Sequence, residues 1–156
     1  MSPHQCALSL NLRDILKRGE AKTTEQQELA RKFGKEFFDG DRGNGYGGYY
    51  YNERFWIKVI PDFIKFYNLK DGDKILDIGC GKGFMLYDLK KEIPGIKLNG
   101  IDVSNYAIRN SKKEVKKYLK VADARKLPFT DKDPVKISIN IAIKLGKLNT
   151  GVTISK

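Results

Sequence analysis

The stretch LDIGCGKGF sets three glycines, Gly79, Gly81 and Gly83, within five positions, two residues behind the acid Asp77. Glycine gives up more conformational freedom on folding than any other residue, so a cluster implies a backbone that something must approach closely. Two more aspartates follow, Asp102 in NGIDVS and Asp123 in VADARKLPF. A carboxylate at Asp102 can accept both hydroxyls of a ribose, and one at Asp123 can accept from an exocyclic amine. Asp77 would repel a pyrophosphate and attract an ammonium. The set therefore points to a ligand that carries an amine and a carboxylate.

Two phosphate-binding patterns do not fit. A P-loop needs Gly-Lys followed by Ser or Thr, and here Gly81-Lys82 is followed by Gly83. A dinucleotide fingerprint needs a glycine five residues after Gly79, and that position is Phe84. Plainer roles stand beside the ligand reading. Asp102 can cap the next helix, with Ser104 as its rival, and Asp123 can be a surface turn residue. Cys80 reads as a small filler inside the loop rather than a nucleophile. Lys82 is expected to face water.

These residues need elements to hold them. KILDI (74–78), KLNGID (97–102) and YLKVAD (118–123) read as short strands. Helical patterns lie between them, at 82–92 and at 104–118, the second with Ser104 as cap. Strand alternating with helix predicts a parallel sheet with covering helices. A fourth strand is expected within 135–143. In an open sheet of this kind ligands lie beyond the carboxyl ends of the strands. The glycine loop and the three aspartates all fall there. Upstream, helices are predicted at 8–19 and from Thr23 or Thr24 to Gly40, with Leu29, Phe33 and Phe37 on one face. The Gly/Tyr-rich stretch 40–51 reads as a loop. From Asn52 a helical period runs to Tyr67, which Pro61 breaks or restarts. The expected organisation is N-terminal helices and lid loop at 1–52, an α/β core at 53–143 and a basic tail at 144–156.

Length and composition agree with one folded enzyme-sized unit: 156 residues, 40% of them hydrophobic and 11% aromatic. No segment has the apolar length of a membrane span, and the first residues do not read as a signal peptide. Two cysteines, Cys6 and Cys80, suggest a reducing, cytoplasmic setting. One histidine, His4, argues against a His-based metal site or triad, and no metal is expected. The net charge is +11. Lysines spread along the chain favour a solvated basic surface over a nucleic-acid partner.

In ILDIGCGKG, GIDVS and VADARKLPF, in that order, the chain resembles the class I methyltransferases that use S-adenosylmethionine (SAM). The resemblance spans roughly residues 70–130, and GYGGYYYNERFW is similar to the segment that precedes the core in some of these enzymes. It implies a partly complete doubly wound, mainly parallel α/β sheet, Rossmann-like, with an N-terminal helical extension. It implies that Asp77, Gly79 and Gly81 hold the methionine part of SAM, with Cys80 and Gly83 completing the loop. Asp102 would bind the ribose and Asp123 the adenine amine. Ile78, Val103 and Ala124 would line the adenosine slot, and Tyr46 would close over it from the lid. No catalytic residue is identified, and the methyl acceptor stays open. The resemblance weakens after Asp131, where DPVKISIN only half matches the family's next strand and Asn140 lies near where an acceptor-side motif would begin. A truncated chain, with an open sheet edge, self-association and cofactor binding without strong turnover, is the corresponding expectation. The competing reading is a non-catalytic nucleic-acid- or nucleotide-binding protein that uses the basic tail and SKKEVKKYLK.

Overall fold

A computed structural model describes residues 22–126 and 137–139. The helix expected at 8–19, His4, Cys6, Asn140 and the tail from 144 lie outside the described residues. The chain divides into two compact units, Met1–Tyr51 and Asn52–Lys156.

In the first unit, helix α1 (Thr24–Arg31) begins at a reciprocal cap. The Gln26 amide donates to Thr23 Oγ1 (3.2 Å), and the Thr23 amide donates back to Gln26 Oε1 (3.1 Å). The single helix expected from here to Gly40 is interrupted. Lys32 and Phe33 donate to carbonyls three residues back, Leu29 and Ala30, which tightens the last turn. Phe33 then takes a left-handed φ of 47°, and α2 (Lys35–Phe38) starts afresh after Gly34. Phe33 and Phe37 still meet edge to face at 5.1 Å. The Gly/Tyr loop folds back on α2: the amides of Tyr46 and Gly48 donate to the carbonyls of Phe37 and Phe38. Gly45 is glycine because a Cβ there would lie 2.1 Å from the Phe37 carbonyl oxygen.

The second unit opens with a 3-10 turn, Glu53–Phe55, capped by Asn52. Helix α3 (Val59–Tyr67) follows, with Pro61 in its first turn, where no intrahelical donor is needed. Asn68 ends it in the left-handed region, its amide bonded to Ile64 and Lys65 carbonyls. Ile60 and Phe63 of α3 are buried, each worth about 1.5–3 kcal/mol of apolar transfer. Then come β1 (Lys74–Ile78), α4 (Phe84–Glu92), β2 (Lys97–Asp102), α5 (Asn105–Arg109), a 3-10 turn (Lys116–Tyr118), β3 (Leu119–Val121) and β4 (Ile137–Ile139).

The strands lie in the order β3-β2-β1-β4, and every neighbouring pair is parallel. The chain winds outward from β1 to β3, then returns to the other side of β1. Ligand crevices of open α/β sheets form at such a reversal. Beside β1 it lies at the glycine loop. β1 is buried from Ile75 to Ile78, as a central strand should be. One face carries Ile75, Leu98 and Leu119 into a core with Leu86, Leu89, Val115, Ile60 and Phe63. Leu76, Ile78 and Ile101 form a second cluster, packed with Ala122. This is an α/β, Rossmann-like core.

The helix expected over 104–118 covers only Asn105–Arg109. Ser111 Oγ bonds the Ile108 carbonyl (2.8 Å), and Asn110 Nδ2 bonds that of Tyr106 (2.8 Å). Side-chain bonds of this kind compete with the helical ladder. The Lys112 amide is taken by the Lys82 carbonyl at 3.0 Å, which turns the chain toward the glycine loop.

Candidate functional site

The loop after β1 is built on left-handed backbone. Gly79, Gly81 and Gly83 have φ of 80°, 56° and 75°, a region that other L-residues reach at a cost of roughly 1–2 kcal/mol. The three glycines do not serve alike. A Cβ on Gly83 would meet Leu119 Cδ1 at 2.8 Å and Val115 at 3.1 Å, so this glycine lets the start of α4 sit on the core. The amides of Gly79 and Cys80 both donate to the Ile101 carbonyl, at 2.7 and 3.0 Å, and Gly83 donates to Cys80. Cys80 is buried, with its thiol directed at the Gly81 carbonyl (3.8 Å). That matches a filler.

Asp102 ties the loop to the tip of β2. It is 8% exposed. Its Oδ2 accepts from the Gly81 amide at 2.8 Å and its Oδ1 from the Ser104 amide at 2.8 Å. Ser104 is the helix cap, its Oγ accepting from the Ala107 amide at 2.9 Å. Asp102 therefore does not cap α5. Each of its oxygens accepts one amide and keeps a second lone pair.

Asp77 is 6% exposed and pairs in register with Gly100. Side chains alternate along a strand, so Asp77 shares the sheet face of Gly100 and, two residues on, of Asp102. Asp102 pairs with Val121 of β3, and the ladder continues through the Ala122 amide to the Asp102 carbonyl (3.0 Å). Asp123 follows in the turn. Adjacent strands thus carry the three aspartates to one rim.

Asp123 is not a bare acceptor. Arg125 Nε lies 3.0 Å from both of its oxygens, and the Arg125 amide donates to Oδ1 at 2.9 Å. These bonds hold its carboxyl at about 2, below the ordinary 3.8. Arg125 went unnoticed in the sequence. The signal was an aspartate two residues before an arginine, the spacing of a side-chain-to-backbone turn.

Lys82 departs from expectation. It is 5% exposed, not solvated. Its stem is buried and its ammonium lies 5.8 Å from the centre of the Tyr106 ring, an arrangement a long amphipathic side chain adopts readily.

Of the remaining candidates, Ile78 is buried in the second cluster, while Val103 is 56% exposed and Ala124 is exposed. Val103 is thus an apolar surface next to the buried Asp102. Tyr46 belongs to the first unit. Its ring stacks on Phe38 and lies 4.5 Å from that of Tyr49. A shallow cleft lined by Glu53, Trp56, Ile60 and Lys91 lies toward the C-terminal end of α4, away from the glycine loop. Among the described residues no helix is long and apolar enough to cross a membrane.

A parallel sheet of this order, with a glycine corner beyond its first strand, defines a Rossmann-like α/β fold. Residues 69–152 match the family model described as a methyltransferase domain, more than half of the chain, and the chain belongs to that family. It is 33% identical over 98 residues to an uncharacterised protein of Methanocaldococcus jannaschii, a match that covers 63% of this chain and 36% of that protein. It also resembles the plantazolicin methyltransferase BpumL, solved in complex with a pentazolic desmethylPZN analog and SAH, at 25% identity and a TM-score of 0.51, over 73% of this chain and 48% of that one. A SAM-dependent methyltransferase from Aquifex aeolicus matches at 29% identity and a TM-score of 0.39, over 46% of this chain and 42% of that one. The match spans about a third of the archaeal relative and about half of BpumL.

Proposed function

We propose that the second unit binds SAM along the carboxyl ends of β1, β2 and β3 and transfers its methyl group to an acceptor. The observation that carries this reading is the bond from the Gly81 amide to Asp102 Oδ2. It joins a side-chain-free corner to a buried carboxylate with lone pairs to spare. Such a carboxylate suits the two hydroxyls of a ribose. Asp77, with Gly79 and Gly81, would hold the ammonium and carboxylate of the methionine part. Val103 and Ala124 would lie against the adenine and Asp123 would accept from its amine, with Ile78 behind them. When bound, SAM supplies an electrophilic methyl on a sulfonium. The chain's own work is then placement: the acceptor must meet that methyl in line, with water kept out. A base is needed only where the acceptor must lose a proton. We propose further that cofactor binding outlasts turnover in this chain, since the residues of this site belong to the cofactor side of the reaction.

Calorimetric titration tests this. SAM and SAH should bind saturably to the full chain, and NAD should not. Asp77→Ala and Asp102→Ala should each weaken SAM at least about tenfold, the loss of one charge-assisted hydrogen bond or more. Unchanged affinity in both variants would sink the assignment.

A further inference from the structure

The geometry points to a second, separate binding face, one that takes the phosphodiester backbone of a nucleic acid. The charge of this chain is not evenly spread. Residues 22–51 carry five basic and five acidic side chains, and residues 52–108 carry nine and eight. Residues 109–120 carry six basic and one acidic. Among the described residues, the excess charge thus sits in one segment. That segment runs from the last residue of α5 through the 3-10 turn Lys116–Tyr118 into β3. Lys113, Lys116, Lys117 and Lys120 are exposed.

The fold adds charge from α4. Lys112 and Lys91 lie over one ring, Tyr87, at 4.0 and 5.8 Å from its centre. Lys117 and Lys90 lie over Tyr118, at 5.1 and 5.7 Å. Both tyrosines pack on the same core cluster, so the two ammonium pairs belong to one side of the sheet. Acids reach them too: Glu53 pairs with Lys91 at 2.8 Å and Glu114 with Lys112 at 3.7 Å, and the buried Asp88 carboxylate also acts on Lys91. The two glutamate pairs are surface pairs, which contribute little and give way readily to a stronger anion.

The chemistry selects the partner. These cations are mostly lysines, point charges that suit phosphates rather than base edges. The rings already carry ammoniums, so they offer no stacking platform for bases. Recognition would be of the backbone and blind to sequence. An anionic membrane fits less well. In 109–121 the large aliphatic residues Val115 and Leu119 are buried and Val121 is exposed, one apolar side chain where membrane-surface helices present a whole apolar face beside their lysines. Lys90 and Lys91 lie in the last turn of α4, the opposite end from Gly83, so the face extends away from the proposed cofactor site, although Lys112 at its near end bonds through its amide to the Lys82 carbonyl beside the glycine loop.

The test is fluorescence anisotropy of the full chain with a short labelled single-stranded RNA, and with DNA of the same sequence, between about 50 and 200 mM salt. Binding should weaken steeply with salt. The variant Lys113→Gln/Lys117→Gln/Lys120→Gln should lose roughly tenfold or more at low salt, and its salt slope should flatten by about 0.7 per lysine removed. Lys117→Gln alone should show a smaller loss of the same kind, and SAM affinity should not move in either variant. RNA bound with DNA left unbound, or the reverse, would identify which backbone the face takes. The control Lys22→Gln/Lys32→Gln/Lys35→Gln removes equal charge from the first unit. Equal weakening in control and test variants would show diffuse attraction and overturn the proposal. So would failure of both nucleic acids to bind at low salt, or binding only to vesicles containing phosphatidylserine.

Discussion

The ion pair between Asp123 and Arg125 sets the charge state of that carboxylate. Three contacts from Arg125 hold Asp123 at about 2, against an ordinary 3.8, with a smaller contribution from Lys126. A carboxyl depressed in the folded state adds stability that is complete above its unfolded pKa, near pH 4, and disappears as the pH falls through about 2. The pair is exposed, so that contribution is small. Its consequence is ionic: Asp123 is an anion at any pH where an adenine amine would use it. Arg125→Ala should return the Asp123 carboxyl toward 3.8, read from its side-chain NMR titration. Arg125→Lys should restore part of the shift, because the charge survives while the fork is lost. An Asp123 that still titrates near 2 in the alanine variant would place the cause elsewhere.

Among the elements, the corner between β1 and α4 shows what a glycine motif contains and what it conceals. Gly83 combines a φ of 75° with a Cβ path blocked by Leu119 and Val115. Gly72 has a φ of 86° and nothing within 4 Å. Gly83→Ala should therefore destabilise by about 2 kcal/mol or more, backbone cost and overpacking together. Gly72→Ala should cost about 1 kcal/mol, the backbone part alone. Urea unfolding of the two variants separates the effects, and equal losses would remove packing from the account. The sequence made the motif visible because three left-handed positions within five residues leave little choice but glycine. It could not assign Gly83 to packing, since Leu119 lies 36 residues away. The same limit explains the other differences. The strands at 74–78 and 97–102 were legible because apolar runs bounded by turns are a local signal. The end of α5 at Arg109 was not, because it depends on Lys112 bonding to the Lys82 carbonyl across the fold. Lys82 looked solvated because its shelter is Tyr106, on another element.

At the scale of the whole molecule, the proposed cofactor site lies within the second of the two units. The chain's single tryptophan, Trp56, packs against the main core of the second unit, so its fluorescence reports the unfolding of that unit. A ligand that binds only the folded form stabilises it by RT ln(1 + [L]/Kd), about 2.7 kcal/mol at roughly a hundredfold excess over Kd. SAM at that excess should therefore raise the thermal midpoint seen by Trp56 by several degrees, and Asp102→Ala should abolish the rise. Hydrogen exchange shows where the gain falls. Amides at Gly81 and Ser104 already end on Asp102, and a ligand that fixes this carboxylate should slow their exchange further. In the first unit, the amides of Tyr46 and Gly48 are bonded to Phe37 and Phe38 carbonyls, and the Tyr46 ring is engaged with Phe38 and Tyr49. Their exchange should stay unchanged on SAM addition. Protection appearing at Tyr46–Tyr49 would instead bear out the lid that the sequence suggests, because a loop already satisfied by its own helix gains protection only if a further partner covers it.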